Sequence, residues 1–222
     1  MSKFGEKGML SPFTIFTSLL TGGFFPLLGS FFACLFISRI YLEGAVLTFV
    51  GGFVAHYFLA HSIHDLYHRK IEERATLSER SLKIILLVSS AFLLAIAIYL
   101  TLKCGWPVFV FSVIGAVVCM YAEGLLHHES QMAFGAMFLV LGSFYVQVGY
   151  PDGIEGAMGI GVKPWIEAIL LSLFAFFSQY GWLLFYRLDD YGWSVAMKNK
   201  SIVLTKIGLI FLVLVFMVYA LL

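Results

Sequence analysis

The chain has 222 residues, of which 61% are apolar and only 12% charged, with a net charge of +1. That composition excludes a soluble globular domain. The near-neutral balance, with no recognisable nucleic-acid motif, excludes a nucleic-acid partner.

Several apolar runs reach the ~20 residues that cross a bilayer core, so the chain reads as all-α, a polytopic membrane helical bundle. About seven transmembrane helices are predicted, forming one domain over residues 1–222. They span about 12–37, 42–61, 82–102, 108–123, 132–148, 165–185 and 202–222. The first apolar run is too long for a signal-peptide core and lacks a cleavage site, so it is read as a retained span. Pro26 should kink it. Glycines within the spans (Gly22, Gly23, Gly29, Gly51, Gly52, Gly115 and Gly142) are expected to let helix backbones approach. Cys34, Cys104 and Cys119 have no CxxC spacing and read as small buried apolar residues, suggesting neither disulfide nor zinc site.

Positive charge sets the expected orientation. Lys3, Lys7, Arg69, Lys70, Arg74, Arg80, Lys83, Arg187, Lys198, Lys200 and Lys206 fall on one side of a seven-span topology. Only Arg39, Lys103 and Lys163 fall on the other. The N-terminus and the 2–3, 4–5 and 6–7 loops are therefore expected in the cytoplasm, with the C-terminus extracytoplasmic and the cell membrane as location. The 5–6 loop, residues 149–164, reads as a glycine-rich flexible connector.

The polar residues collect on that same side. His61-Ser-Ile-His-Asp-Leu-Tyr-His-Arg-Lys70 closes the second span and opens the 2–3 loop. Glu123, His127, His128 and Glu129 form the 4–5 loop, and Arg187-Leu-Asp-Asp-Tyr191 opens the 6–7 loop. Three such loops around one bundle can line a cavity facing the cytoplasm. Asp65 and Asp190, at equivalent helix ends, can hold Mg²⁺, which in turn holds a diphosphate. Asp189 points about 100° away from Asp190 if the helix continues. Arg69 and Arg187 can contact phosphate by paired hydrogen bonds, or can form ion pairs, Asp65 with Arg187 and Asp190 with Arg69. A different chemistry is a transition-metal site. His61, His64, Asp65 and His68 share one helical face, and His64–His68 has the i, i+4 spacing of a metal pair. His56, higher in the second span, reads as a packed and hydrogen-bonded side chain.

Four stretches carry a family resemblance. Residues 11–29, the His61–Lys70 stretch, residues 133–149 with Phe144-Tyr-Val-Gln-Val-Gly149, and Arg187–Ser201 resemble, in order, four parts of the UbiA superfamily of intramembrane prenyltransferases. The likeness is to its dihydroxynaphthoate polyprenyltransferase-like branch. The resemblance implies transfer of a prenyl group from a polyprenyl diphosphate to an aromatic or lipid acceptor, with Mg²⁺ and two aspartate motifs holding the diphosphate. It implies Asp65 and Asp190 as catalytic and metal-holding residues. Arg69, Lys70, Arg187, Asp189, His61 and His64 become diphosphate-binding residues. The prenyl tail would lie among Phe24, Phe25, Phe138 and Tyr145. Both motifs are eroded: His61, Ser62 and Arg69 stand in the first, and Arg187 and Ser194 in the second, where the family has Asn or Asp. The family has nine spans, so a protein partner or second copy would supply the missing hairpin. Three functions follow as expectations: a divergent prenyltransferase, a catalytically silent lipid- or partner-binding relative, and a histidine-based membrane metalloenzyme.

Overall fold

A backbone inside hydrocarbon must satisfy its own polar groups, and this chain does so with helices. The computed structural model describes residues 11–72, 77–124, 129–189 and 191–221, without the side chains of 67–72 and 119–124. The helices are α1 (Pro12–Ala33), α2 (42–72), α3 (Glu79–Cys104), α4 (Pro107–Gly124), α5 (Glu129–Val148), a short α6 (Ile154–Gly159), α7 (Val162–Tyr186) and α8 (Val195–Leu221). Among the described residues six are long and apolar enough to cross a membrane, and α4 adds a shorter apolar helix. The protein is an all-α, multi-pass membrane bundle of about seven helices.

Several boundaries differ from the sequence expectation. Helix α1 ends at Ala33, four residues early, and the chain then turns toward Tyr41. Helix α3 starts at Glu79 because the Ser78 hydroxyl accepts the Ser81 amide at 3.1 Å, an N-cap that extends the helix beyond its apolar run. It stops where Gly105 adopts φ +93°, a conformation that disfavours a side chain. Helix α2 continues through Glu72, so His61–Lys70 is helix and does not open a loop. Glu129 is likewise the first residue of α5, not part of the 4–5 loop. The 5–6 segment is not a plain flexible connector. It folds into α6, buries Ala157, and is fastened by the Trp165 indole N–H donating to the Ala157 carbonyl at 2.8 Å.

Successive helices run antiparallel, giving the bundle a proximal end, where α1 begins, and a distal end. Helix α5 is the most buried of the long helices, with 56% of its apolar window inside the bundle. By contrast Leu87, Leu102 and Phe216 stand 71%, 80% and 64% exposed on α3 and α8, an apolar exterior that fits lipid and not water. Close helix contacts use glycine. A Cβ on Gly22 would strike the Gly52 carbonyl, and one on Gly29 would strike the Val140 carbonyl and the Ser143 hydroxyl. Gly115 has no such neighbour among the described residues.

Neither α1 nor α2 is a regular α-helix throughout. Leu19–Phe24 in α1 and Val54–Ala60 in α2 are π-helical, and the Gly22–Gly52 contact joins the first segment to α2 just before the second begins. The irregularity in α1 therefore precedes Pro26, which sits in the second position of the α-helical turn that follows.

The distal end carries several long-range hydrogen bonds. Gln147 accepts the Tyr41 amide at 2.9 Å and donates to the Tyr41 carbonyl at 3.1 Å. The Tyr145 hydroxyl donates to the Cys104 carbonyl, Tyr99 donates to Glu43, and Tyr41 stacks on Tyr150 at 3.8 Å. Burial, the Tyr99 hydroxyl and the Glu43 charge hold the Tyr41 phenol well above its ordinary range. Tyr145, expected beside a prenyl tail, belongs instead to this distal core with Phe144 and Trp165.

Candidate functional site

Membrane interiors penalise polar atoms that lack partners, so such atoms mark functional positions. Among the described residues, seven have a buried side-chain nitrogen or oxygen with no hydrogen-bond partner: Ser18, Ser30, His56, Ser62, Asp65, Gln131 and Glu167. Four of them (Ser18, Ser62, Asp65 and Gln131) lie on the first half of an odd-numbered span or the second half of the next, and so toward the proximal end, while His56 lies at mid-depth against Gly22. Ser30 and Glu167 lie toward the distal end, where Glu167 has Lys163 at 3.9 Å.

Helix α2 carries most of this group. Its π-helical segment repeats at i→i+5, which brings residues five apart over one another. His61 consequently sits over His56: its Nδ1 donates to the His56 carbonyl at 2.9 Å, and the two rings lie 5.7 Å apart. A carbonyl only accepts, so the Nδ1 of neutral His61 holds the proton and its Nε2 presents a lone pair. Both ring nitrogens of His56 are buried without a partner, so the hydrogen bonding expected for it is not made. One turn further, His64 Nδ1 lies 3.4 Å from Asp65 Oδ1, while Asp65 Oδ2 is buried and unpartnered.

The second cluster is organised differently from expectation. Arg187, at the C-terminus of α7, donates to Glu129 Oε1 at 2.9 Å, and Tyr191 donates to the same oxygen at 2.6 Å. Glu129 is only 4% exposed. The alternative pair Asp65–Arg187 is therefore not formed; the partner of Arg187 comes from the start of α5. Asp189 accepts the Trp193 indole N–H. Asp190, and the side chains of His68, Arg69 and Lys70, lie outside the described residues, as do His127 and His128.

Mg²⁺ is commonly held by one or two carboxylates, with phosphate oxygens and water completing the shell. The unpartnered Oδ2 of Asp65 is a fitting donor for such an ion. Among the described residues no three His, Cys, Asp or Glu side chains come together as a cage that holds a metal on protein ligands alone. His64 is turned toward Asp65.

A groove of about 1040 Å³ lies elsewhere, between α1, α7 and α8. Phe24 and Phe25 line it, as do Trp182 and Phe185, with Gln179 and Lys206 among its few polar residues. Among the described residues expected to bind diphosphate (His61, His64, Arg187 and Asp189), none lines it. Thr21 and Gln179 bridge α1 to α7 on its wall, hydroxyl to amide oxygen at 3.1 Å.

Reading the α2 sequence with an α-helical period groups His61, His64, Asp65 and His68, and misses His56. It also misses the role of Glu129, although Gln131 and Ser18 were detectable as polar residues inside apolar runs. Compared with known proteins, the chain matches no family model, no curated protein and no solved structure.

Proposed function

We propose that this chain is a divergent UbiA-like membrane prenyltransferase, taking a polyprenyl diphosphate from the bilayer and transferring its prenyl group to an aromatic or lipid acceptor. The observation that carries the reading is the buried, unpartnered Oδ2 of Asp65 within the group of unsatisfied polar atoms at the proximal end. Asp65 is also the surviving carboxylate of the stretch that resembles the family's first motif. The departing diphosphate leaves with the electron pair of the allylic C–O bond, so its charge must be stabilised where it forms. Asp65 would hold Mg²⁺, which bound there would supply that positive charge. Asp190, Arg69, Lys70 and Arg187 are the remaining motif positions assigned to the diphosphate. The lone pair of His61 Nε2, one turn before Asp65 on the same helix, would supply a proton acceptor. The proposal places the proximal end in the cytoplasm of a cell membrane, on the strength of the lysine and arginine asymmetry.

A second reading has its own support. Arg187 is tied into an ion pair with Glu129, whose oxygen also accepts the Tyr191 hydroxyl, the arrangement expected of a silent, lipid- or partner-binding relative. The two readings separate in one experiment. Protein purified into nanodiscs is given geranylgeranyl diphosphate, Mg²⁺ and an aromatic diol acceptor, and prenylated product is measured. The enzyme reading expects turnover that Asp65→Asn reduces by about 10²-fold or more, the order seen when one transition-state-stabilising group is lost, while the thermal unfolding of the variant stays close to wild type. Binding of the diphosphate with no turnover, in the wild type as in the variant, selects the silent relative.

A further inference from the structure

The groove between α1, α7 and α8 holds a cation that the proposed reaction leaves unused. Lys206 lines it, is exposed, and has no ion-pair or hydrogen-bond partner among the described residues. Its depth can be placed from α8 itself. Lys163 Nζ donates to the Tyr219 carbonyl at 3.2 Å, as a lysine reaching for polar groups at the distal interface does. From Tyr219 a hydrocarbon core of ~30 Å, at ~1.5 Å per residue, reaches back about twenty residues to near Lys200. Lys206 is six residues inside that level, so its backbone enters hydrocarbon about 9 Å deep, by the same rise per residue. An unpaired ammonium there needs an anion.

We propose that this groove binds one acidic phospholipid of the bilayer, its phosphodiester on the Lys206 ammonium and an acyl chain along the α1 face. The assignment goes beyond the transferase reading and stands without it. Charge selects the ligand: one amine balances the single negative charge of a phosphodiester, whereas a prenyl diphosphate carries several and calls for more cations. The long lysine stem spans the depth by snorkelling toward the headgroup level. Side-chain size argues against a helix as occupant. Helix contacts in membranes favour small residues, whereas this wall presents Phe16, Phe24 and Phe31, which stand 56%, 51% and 56% exposed toward lipid.

The test is native mass spectrometry of the full chain with equimolar phosphatidylglycerol and phosphatidylcholine of identical acyl chains. Wild type is expected to retain phosphatidylglycerol about five- to tenfold over phosphatidylcholine, the preference one lysine gives at an anionic headgroup. Lys206→Gln should bring the two lipids level, and Lys200→Gln should leave the preference in place. Equal retention by the wild type overturns the proposal, as does an unchanged preference in Lys206→Gln. Displacement of phosphatidylglycerol by geranylgeranyl diphosphate overturns it by assigning the groove to the transferase substrate. Disulfide capture of a second copy's helix by Phe24→Cys overturns it by assigning the groove to an oligomer contact.

Discussion

Replacing Glu129 by glutamine should move stability and diphosphate binding in opposite directions. Glu129 is buried and receives both the Arg187 guanidinium and the Tyr191 hydroxyl on one oxygen. Removing one partner of a buried ion pair costs ~3–5 kcal/mol. Here the cost is smaller, because the Arg187 side chain retains 22% exposure and the amide oxygen of glutamine still accepts hydrogen bonds. A loss of about 1–3 kcal/mol follows. The same change removes the anion that competes with a diphosphate for Arg187, so affinity for geranylgeranyl diphosphate should rise about tenfold, or ~1.4 kcal/mol. Stability is read by equilibrium unfolding in mixed micelles, and affinity by titration calorimetry at fixed ionic strength. If Glu129→Gln weakens binding along with stability, Glu129 does not restrain Arg187 from the ligand, and the assignment of Arg187 to diphosphate fails.

Two further substitutions test the contrast between unpartnered and satisfied polar groups. His56→Leu removes two partnerless buried nitrogens and should raise stability by about 1 kcal/mol in the same unfolding assay. It should also lower prenyl transfer, the pattern expected where a polar residue is kept for function. At the distal end, Gln147→Leu strands the amide and carbonyl of Tyr41 together. Stability should fall by about 1–3 kcal/mol with substrate affinity unchanged; a fall in affinity would place part of the ligand at the distal end.

The number of helices was legible because run length in apolar residues is a local property that the bilayer reads directly. Their ends were less legible because they depend on other parts of the chain. Ser78 caps α3 outside the apolar run, and Tyr41 precedes α2 with its backbone groups taken by Gln147, 106 residues away. The π-helical segments were hidden for a related reason. The second contains no residue that breaks an α-helix on its own account; the first contains Gly22 and Gly23, but what brings Gly22 against Gly52 is a contact between helices that the sequence does not show. That hidden change of period sets His61 over His56, a pairing that an α-helical reading of α2 does not give. Asp65 was legible as a carboxylate closing an apolar run. The link of Arg187 to Glu129 was not, because it crosses 58 residues and two helix ends.

The unevenness between the two ends is itself an argument about function. At the distal end the chain meets a buried backbone with Gln147, a buried carbonyl with Tyr145 and a surface carboxylate with Tyr99. The same chain leaves Ser18, Ser62, Asp65 and Gln131 toward the proximal end, and His56 at mid-depth, with unpaired atoms. Stability alone would remove these groups, since an apolar residue of similar size costs less in hydrocarbon than an orphaned polar one. Packing does not require them either, because alanine or leucine would serve the helix contacts. Under the proposed function, a ligand that completes those atoms when it binds accounts for hydrogen-bonding capacity kept open at one end and, Ser30 and Glu167 apart, satisfied at the other. That ligand must combine oxygen-rich and apolar parts to be met by Asp65 and the histidines while remaining in the bilayer, a description that a prenyl diphosphate and its acceptor fulfil.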